Sequence, residues 1–175
     1  MAGFEKFKKY YLELGDGLFA FDISKMFFEE DFLEKNNAII QKALSDNKTL
    51  EQGAISNSDE KRMVGHYWLR NSALAPTKEI KELIDDAIEK VLEFSSRVHS
   101  GKILSQKGSP FSNLLIIGIG GSALGPQFVS FALGNSDDRL KTFFFDNTDP
   151  DGMKKVLDDI EDLSSTLVLV ISKSG

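Results

Sequence analysis

Three short apolar runs in the second half of the sequence constrain the fold more than any other feature. The runs cover residues 114–117, 142–145 and 166–171. Apolar runs of this length without polar alternation are typical of strands that are buried on both faces of a parallel sheet. The segments between the runs are long enough for helices, and strands that alternate with helices predict an α/β fold.

The two connecting segments carry the signals of helices. The first helix is predicted from about residue 122 to residue 133, directly after a glycine-rich turn. The second is predicted to end near residue 161, with Asp149 as its N-cap and Pro150 in its first turn. Two such connections predict a parallel sheet flanked by helices, and the common order 2-1-3 would place the third strand beside the first.

The first and the third strand both end in loops of small residues, "GIGGS" and "SKSG". In open parallel sheets, ligands bind beyond the carboxyl ends of the strands, where the strand order reverses. Glycine lets the backbone approach a ligand closely, and the amides at a helix start favour an anion. Ser122, Ser172 and Ser174 add hydroxyl groups, and Lys173 adds a positive charge. The two loops together therefore predict a phosphate site at one crevice.

A dinucleotide site is the alternative interpretation of the first loop. Gly118, Gly120 and Ala123 fit the pattern G-x-G-x-x-G/A between a strand and a helix. Asp146 stands at the end of the second strand, where a ribose-binding acid would lie. The third strand favours a phosphate monoester, because a dinucleotide site does not require the sequence Ser-Lys-Ser there. The residues themselves leave the role of Asp146 open.

The first hundred residues show helical patterns. Helices are predicted over residues 23–45, over residues 58–70 and from residue 77 to residue 100. The second of these would begin at a cap formed by Asn57 or Ser58. In the third, apolar side chains recur at spacings of three and four over the whole segment. His66 lies in the second helix and is predicted to pack or to hydrogen-bond there.

The change of pattern predicts two parts. We expect a helical N-terminal segment over residues 1–105 and an α/β segment over residues 106–175. In a flavodoxin-like order, the α/β segment would hold the first three strands of a sheet.

The composition excludes several classes of function. The balance of 21 basic against 27 acidic residues gives a net charge of −6, which argues against a broad nucleic-acid surface. The chain has no cysteine, which excludes disulfides and thiolate chemistry. No run approaches the roughly 18 apolar residues of a membrane span, and the first residues lack an apolar stretch of signal-peptide length. We therefore expect a cytoplasmic protein that binds neither nucleic acid nor membrane.

Several motifs in combination resemble the glucose-6-phosphate isomerase family, in its bacterial branch. They are "GIGGSALGP", "NTDP" and "ISKSG", together with "VGHYWLRNSALAP" in the helical segment. The similarity spans residues 57–175, and the first 56 residues contribute little to it. The resemblance implies two sugar-isomerase (SIS) domains, each a parallel sheet between helices, in a protein that is usually a homodimer and needs no metal or organic cofactor.

The resemblance also implies residue roles. Gly121 and Ser122 would touch the sugar phosphate or the sugar, and Ser172, Lys173 and Ser174 would begin the loop that holds the phosphate. The family's base, its ring-opening histidine and the assisting arginine and lysine lie further downstream. We therefore expect no catalytic residue within these 175 residues. The chain would be the amino-terminal part of an isomerase that interconverts glucose 6-phosphate and fructose 6-phosphate, truncated in its phosphate loop and inactive alone.

Two other classes of function stay open. One is a non-catalytic module that binds sugar phosphates on the same kind of domain, and the other is a dinucleotide-binding oxidoreductase of the Rossmann type. The isomerase half of an amidotransferase that makes glucosamine 6-phosphate would share the phosphate loop. It would leave the "HYWLRN" and "NTDP" stretches unexplained.

Overall fold

The computed structural model describes residues 3–173 and residue 175. These residues divide into two compact units, one that ends at Lys81 and one that begins at Glu82. The helices and strands in chain order are α1 Gly3–Tyr10, β1 Tyr11–Leu14, β2 Phe19–Asp22, α2 Phe32–Lys35, α3 Asn37–Glu51, β3 Ile55–Asn57, β4 Arg62–Met63, α4 His66–Arg70, α5 Lys78–His99, β5 Asn113–Ile117, α6 Gly121–Leu133, β6 Lys141–Phe145, α7 Pro150–Asp159 and β7 Thr166–Val170. Short 3-10 turns lie at Ser72–Leu74 and Leu163–Ser165. No helix in the described ranges is both long enough and apolar enough to cross a membrane.

The first unit contains an antiparallel hairpin that the helical prediction missed. Strands β1 and β2 pair in register, and the amide of Leu18 donates to the carbonyl of Gly15 across the turn, at 3.1 Å. A Gly-Asp-Gly turn between short strands is typical of a β-hairpin. The helix predicted over residues 23–45 is also displaced. It is formed by α2 and α3, which begin at residue 32 and end at residue 51.

The helix predicted over residues 58–70 is wrong in its first half. The oxygen of the Asn57 side chain does accept the amide of Glu60, at 3.0 Å, but within the turn that joins β3 to β4. A side chain of this kind closes a turn as readily as it caps a helix. Helix α4 begins only at His66, and Trp68 buries its ring in this unit while its Nε1 donates to the carbonyl of Glu51, at 2.9 Å.

Helix α5 and the parallel sheet confirm the predictions for the rest of the chain. The sheet has the order β6-β5-β7, with every strand parallel, so the third predicted strand does lie beside the first. Helix α7 begins as expected, because the carboxylate of Asp149 accepts the amide of Gly152, at 2.8 Å, and Pro150 occupies the first turn. The sheet and its helices therefore show the predicted fold class, an α/β fold with a parallel sheet flanked by helices. The division of domains at residues 105 and 106 stays a proposal.

The two crossover helices lie on opposite faces of the sheet. Strands β6 and β7 flank β5 on opposite sides, so right-handed crossovers place α6 and α7 on different faces. On one face, Leu115 and Phe143 form a buried cluster with Ile160, which follows α7. On the other face, Leu114 and Ile116 line a cavity of about 950 Å³ that α5 and α6 complete.

The amino-terminal edge of the sheet is closed by a polar cluster, which we call the amino-edge cluster. Its members are Lys107, Ser112, Asn113, Asp162, Ser164, Ser165 and Thr166. The carboxylate of Asp162 accepts from the ammonium of Lys107, at 3.2 Å, and from the hydroxyl of Ser164, at 2.6 Å. The backbone carbonyl of Asp162 accepts hydrogen bonds from the side chains of Asn113, Ser165 and Thr166. These bonds hold the loop before β5 against the loop before β7.

Candidate functional site

The candidate site is the opposite, carboxyl-terminal edge of the sheet, where the three strands end level with one another. Ile117 of β5 pairs with Phe145 of β6 on one side and with Val170 of β7 on the other. One residue further, the amide of Gly118 donates to the carbonyl of Phe145, at 3.0 Å, and the amide of Ile171 donates to the carbonyl of Ile117, at 2.9 Å. The loops after β5 and β7 therefore leave the sheet from adjacent strands.

Two glycines determine the shape of the loop between β5 and α6, residues 118–121, which we call the glycine loop. Gly120 is the N-cap of α6 and has φ +58°, a conformation that L side chains rarely adopt. A Cβ at Gly118 would lie 2.9 Å from the Cβ of Ser122 and 3.0 Å from its carbonyl oxygen. A Cβ at Gly120 or Gly121 would meet nothing within 4 Å. The loop is therefore tight against the helix on one side and open on the other, where an anion can approach the backbone.

Ser122 lies at the second position of α6 and is half-buried, whereas Gly121 is exposed. Pro126 lies within the same helix and has no amide hydrogen, so it provides no helical bond to the carbonyl of Ser122. The amides of Ala123 and Leu124 both donate to the carbonyl of Gly120. The first turn of α6 is thus anchored by the N-cap carbonyl, next to the open side of the glycine loop.

The loop after β7 carries the second set of predicted site residues. Ser172 and Lys173 are both exposed, and the hydroxyl oxygen of Ser172 accepts the amide of Gly175, at 3.0 Å. Ser174 lies outside the described residues. The neighbouring strands bring the two loops to the same edge, and the convergence of Ser122, Ser172 and Lys173 on one ligand stays a prediction.

A side-chain network covers the end of β6 and was missed in part by the sequence reasoning. The two carboxylate oxygens of Asp146 accept from the amide of Gln127, at 2.9 Å, and from the amide of Asn147, at 2.7 Å. The oxygen of the Asn147 side chain accepts the backbone amide of Asp149, at 2.8 Å. Gln127 has the only side-chain amide in α6, whose other polar side chains are the two serines Ser122 and Ser130, and that was the available signal.

The network sets the chemistry that Asp146 can perform. The hydrogen bond from Gln127 is the largest cause that holds the pKa of the Asp146 carboxyl below its usual value. Desolvation opposes it as the second-largest effect, and the bond from Asn147 lowers the pKa further. A carboxylate with a lowered pKa is a weak base at neutral pH. The geometry therefore suits Asp146 to accept hydrogen bonds rather than to abstract a proton from carbon.

Other candidate acids, bases and metal ligands lie elsewhere or do not cluster. Within residues 3–173 and 175, His, Asp and Glu side chains form no group of three or more that could hold a metal ion. His66 belongs to the first unit, where it is exposed and its ring lies against that of Tyr67 with 4.0 Å between the centroids, so its packing or hydrogen-bonding role stays a prediction.

Comparison with known proteins identifies relatives of the chain. The family model described as "Phosphoglucose isomerase" matches residues 22–175. The match begins 35 residues earlier than the motifs alone suggested (residue 57 against residue 22), so much of the segment before residue 57 also carries family character.

Individual relatives agree with the family match. Proteins named glucose-6-phosphate isomerase are 52% identical over 98% of the chain in Geotalea daltonii and 48% identical over its whole length in Desulfitobacterium hafniense strain Y51. A third, from Synechococcus elongatus, is 52% identical over 90% of the chain. The aligned part is 32%, 33% and 30% of these proteins, respectively, so the chain spans about a third of their length.

Proposed function

The chain belongs to the phosphoglucose isomerase family, and from that premise we propose that the whole protein interconverts glucose 6-phosphate and fructose 6-phosphate. The reaction is a reversible aldose–ketose isomerisation through an enediol, as in glycolysis and gluconeogenesis. This chain contributes part of the sugar-phosphate site, formed by Gly121, Ser122, Ser172, Lys173 and Ser174, and it contributes no catalytic residue.

The observation that carries the proposal is the pairing of β5 with β7. It brings the glycine loop and the loop that begins at Ser172 to adjacent strand ends. Backbone amides at the start of α6, the Ser122 hydroxyl and the Lys173 ammonium are the groups that phosphate monoesters use in proteins. The open space beside Gly120 and Gly121 leaves room for the phosphate oxygens.

The network around Asp146 argues against the dinucleotide alternative. In a Rossmann site, the acid at the end of the second strand accepts the ribose hydroxyls. Here both oxygens of that carboxylate already accept from the side-chain amides of Gln127 and Asn147. The third strand also ends in Ser172 and Lys173, which a dinucleotide site does not require.

The division of labour follows from the chemistry of isomerisation. Transfer of a proton between C2 and C1 needs a ring opener, a base whose pKa lies near the working pH and stabilisation of a developing oxyanion. Asp146, with its lowered pKa, does not meet the requirement for the base. The phosphate does not react, but its anchoring helps to position C1 and C2. We therefore assign the anchoring function to this chain.

The assembly and location proposed for the whole protein are those of the family. We propose a cytoplasmic homodimer that uses neither a metal nor an organic cofactor. The net charge of −6 agrees with the absence of a broad nucleic-acid surface.

The test is an assay that couples the formation of glucose 6-phosphate from fructose 6-phosphate to a dehydrogenase. The whole protein should turn over fructose 6-phosphate, whereas the purified 175-residue chain should stay at background. Binding of sugar phosphate without turnover by the whole protein would favour the non-catalytic module. Turnover that tracks the purified chain, free of host enzyme, would contradict the assignment of anchoring alone.

A further inference from the structure

We infer that Asp146 is a positioning residue of the sugar-phosphate site, which it serves by holding Gln127 and thereby the glycine loop in place. The inference rests on the proposed function. It assigns a role to a carboxylate that the sequence left open and that the proposed reaction does not use.

The end of β6 is bonded to both sides of the glycine loop. Before the loop, the amide of Gly118 donates to the carbonyl of Phe145, at 3.0 Å. After the loop, the side-chain amide of Gln127 donates to the carboxylate of Asp146, at 2.9 Å. The last residue of β6 and the residue after it therefore enclose the segment from Gly118 to Gln127, which contains the glycine loop and the first turn of α6.

Helix α6 transmits this constraint to the loop. Gln127 lies five residues after Ser122, which is about 7.5 Å along a helix. A displacement of α6 along its axis would move Ser122 and the amides beside it by the same distance. Phosphate contacts are sensitive to such shifts, because charged hydrogen bonds require distances close to 2.8 Å.

Apolar packing holds α6 only weakly in the described chain, which raises the importance of a polar tether. Leu124, Phe128 and Phe131 of this helix are 65%, 73% and 81% exposed. Pro126 also removes the helical bond to the carbonyl of Ser122. The bond from Gln127 links the helix to Asp146, 19 residues further along the chain and directly after β6.

The carboxylate is itself held in place, and its charge excludes direct contact with a phosphate. Asn147 donates to the second oxygen of Asp146 and accepts the backbone amide of Asp149, so the side chain is bonded toward the start of α7 as well. A carboxylate in contact with a phosphate dianion would oppose binding through like-charge repulsion. Asp146 therefore acts through Gln127 rather than on the ligand.

The experiment measures the dissociation constants of this chain for inorganic phosphate and for glucose 6-phosphate, from the chemical shift of the Ser122 amide. The variants are Asp146→Ala, Gln127→Ala and the double variant, with Asp146→Asn as the conservative replacement. Asp159→Ala is the matched control, because it removes an exposed carboxylate at the other end of α7. Dispersed amide spectra of Asp146→Asn and of the control show that the fold is retained.

We expect Asp146→Ala and Gln127→Ala each to weaken both ligands by roughly three- to tenfold, and the double variant to be no weaker than either single variant. Asp146→Asn keeps an oxygen that accepts from Gln127, so its affinity should stay within about twofold of the wild type. The control should bind as the wild type does.

Three results would overturn the inference. The first is a loss of affinity for glucose 6-phosphate alone, which would mean that Asp146 touches the sugar. The second is a double variant whose loss of binding free energy equals the sum of the two single losses. The third is wild-type affinity in Gln127→Ala. If the wild-type chain bound neither ligand, this inference would be refuted, and the proposed function would still be decided by the turnover assay of the whole protein. If the wild type and the variants bound the ligands with the same affinity, only the role of Asp146 would be refuted.

Discussion

The two edges of the parallel sheet carry the same kinds of side chain and use them differently. At the amino edge, Asp162 is bonded to Lys107 and Ser164 through its carboxylate and to three further side chains through its carbonyl. At the carboxyl edge, the glycine loop leaves open space beside Gly120 and Gly121. Serine, aspartate and lysine thus stabilise the amino edge by bonding one another, whereas at the carboxyl edge we propose that serine and lysine bind a ligand where the backbone leaves room.

This comparison predicts that the two edges separate in their response to mutation. Changes at the carboxyl edge should act on ligand affinity, with a loss of stability only where an added atom clashes with the backbone, and changes at the amino edge should act on the free energy of unfolding alone.

The largest effect is expected for Gly118→Ala. The new Cβ would lie 2.9 Å from the Cβ of Ser122 and 3.0 Å from its backbone oxygen, so the start of α6 must move. We expect a loss of about 1 to 3 kcal/mol in the free energy of unfolding, measured by urea denaturation, together with the loss of detectable phosphate binding. Gly125→Ala in the same helix is the control, because its Cβ meets nothing within 4 Å and should stabilise the helix by about 0.5 to 1 kcal/mol. Equal behaviour of the two variants would show that the loop is not tight.

The next effect is expected for Ser122→Asp, which sets a carboxylate against the phosphate dianion. In the whole protein, the KM for fructose 6-phosphate should rise more than about tenfold, since two charges near 4 Å interact by about 4 kcal/mol close to a protein surface. The free energy of unfolding of the chain should change little. Ser136→Asp, in the exposed loop after α6, adds the same charge away from the site and should leave the KM unchanged. An unchanged KM in Ser122→Asp would separate this residue from the phosphate.

A smaller effect, on stability alone, is expected for Asn113→Ala at the amino edge. Asn113 is buried, and its side-chain amide donates to the carbonyl of Asp162, at 3.3 Å, and to the hydroxyl of Thr166, at 3.4 Å. We expect the free energy of unfolding to fall by about 1 to 2 kcal/mol in urea denaturation. The dissociation constant for phosphate should stay the same. A change in that constant without a change in stability would contradict the assignment of the amino edge to stability alone.

The smallest effect is the acid dependence that Asp162 contributes. The hydrogen bond from Ser164 and the contact with Lys107 lower the pKa of its carboxyl from 3.8 to about 2. A lowered folded pKa stabilises the protein above the ordinary value, and this stabilisation disappears as the pH falls toward 2. The difference in the free energy of unfolding between wild type and Asp162→Asn should therefore be full at pH 5 and shrink between about pH 4 and pH 2. A difference for Asp162→Asn that grows on acidification would reverse the assignment.

The sequence predicted the sheet well because its three strands are continuous apolar runs, even though residues 168–170 of β7 are exposed in the described chain. Continuous apolar runs mark strands with neighbours on both faces, and both crossover helices carried capping or glycine signals. The hairpin of β1 and β2 lacks such a signal. Its four-residue strands are exposed throughout, so burial imposed no alternation on them, and only the Gly-Asp-Gly turn indicated a hairpin.

The placement of the two loops at one edge of the sheet was predictable from the sequence. Glycine and serine at the ends of β5 and β7 predicted the phosphate site that we propose, and the strand order was the expected one. The bond between Gln127 and Asp146 was not predictable, because it depends on how far α6 lies along β6. Local patterns determine the existence of a helix but not its axial position over a sheet, which packing decides.

The most direct test of the proposed site is a titration of the isotope-labelled chain with glucose 6-phosphate, followed at every assigned backbone amide. We predict saturable shifts at Gly120, Gly121, Ser122 and Lys173, with one common dissociation constant, while the amides of the amino-edge cluster stay unchanged. Shifts centred on the amino-edge cluster, or different dissociation constants for the glycine loop and for Lys173, would contradict a single phosphate site at the carboxyl edge of the sheet.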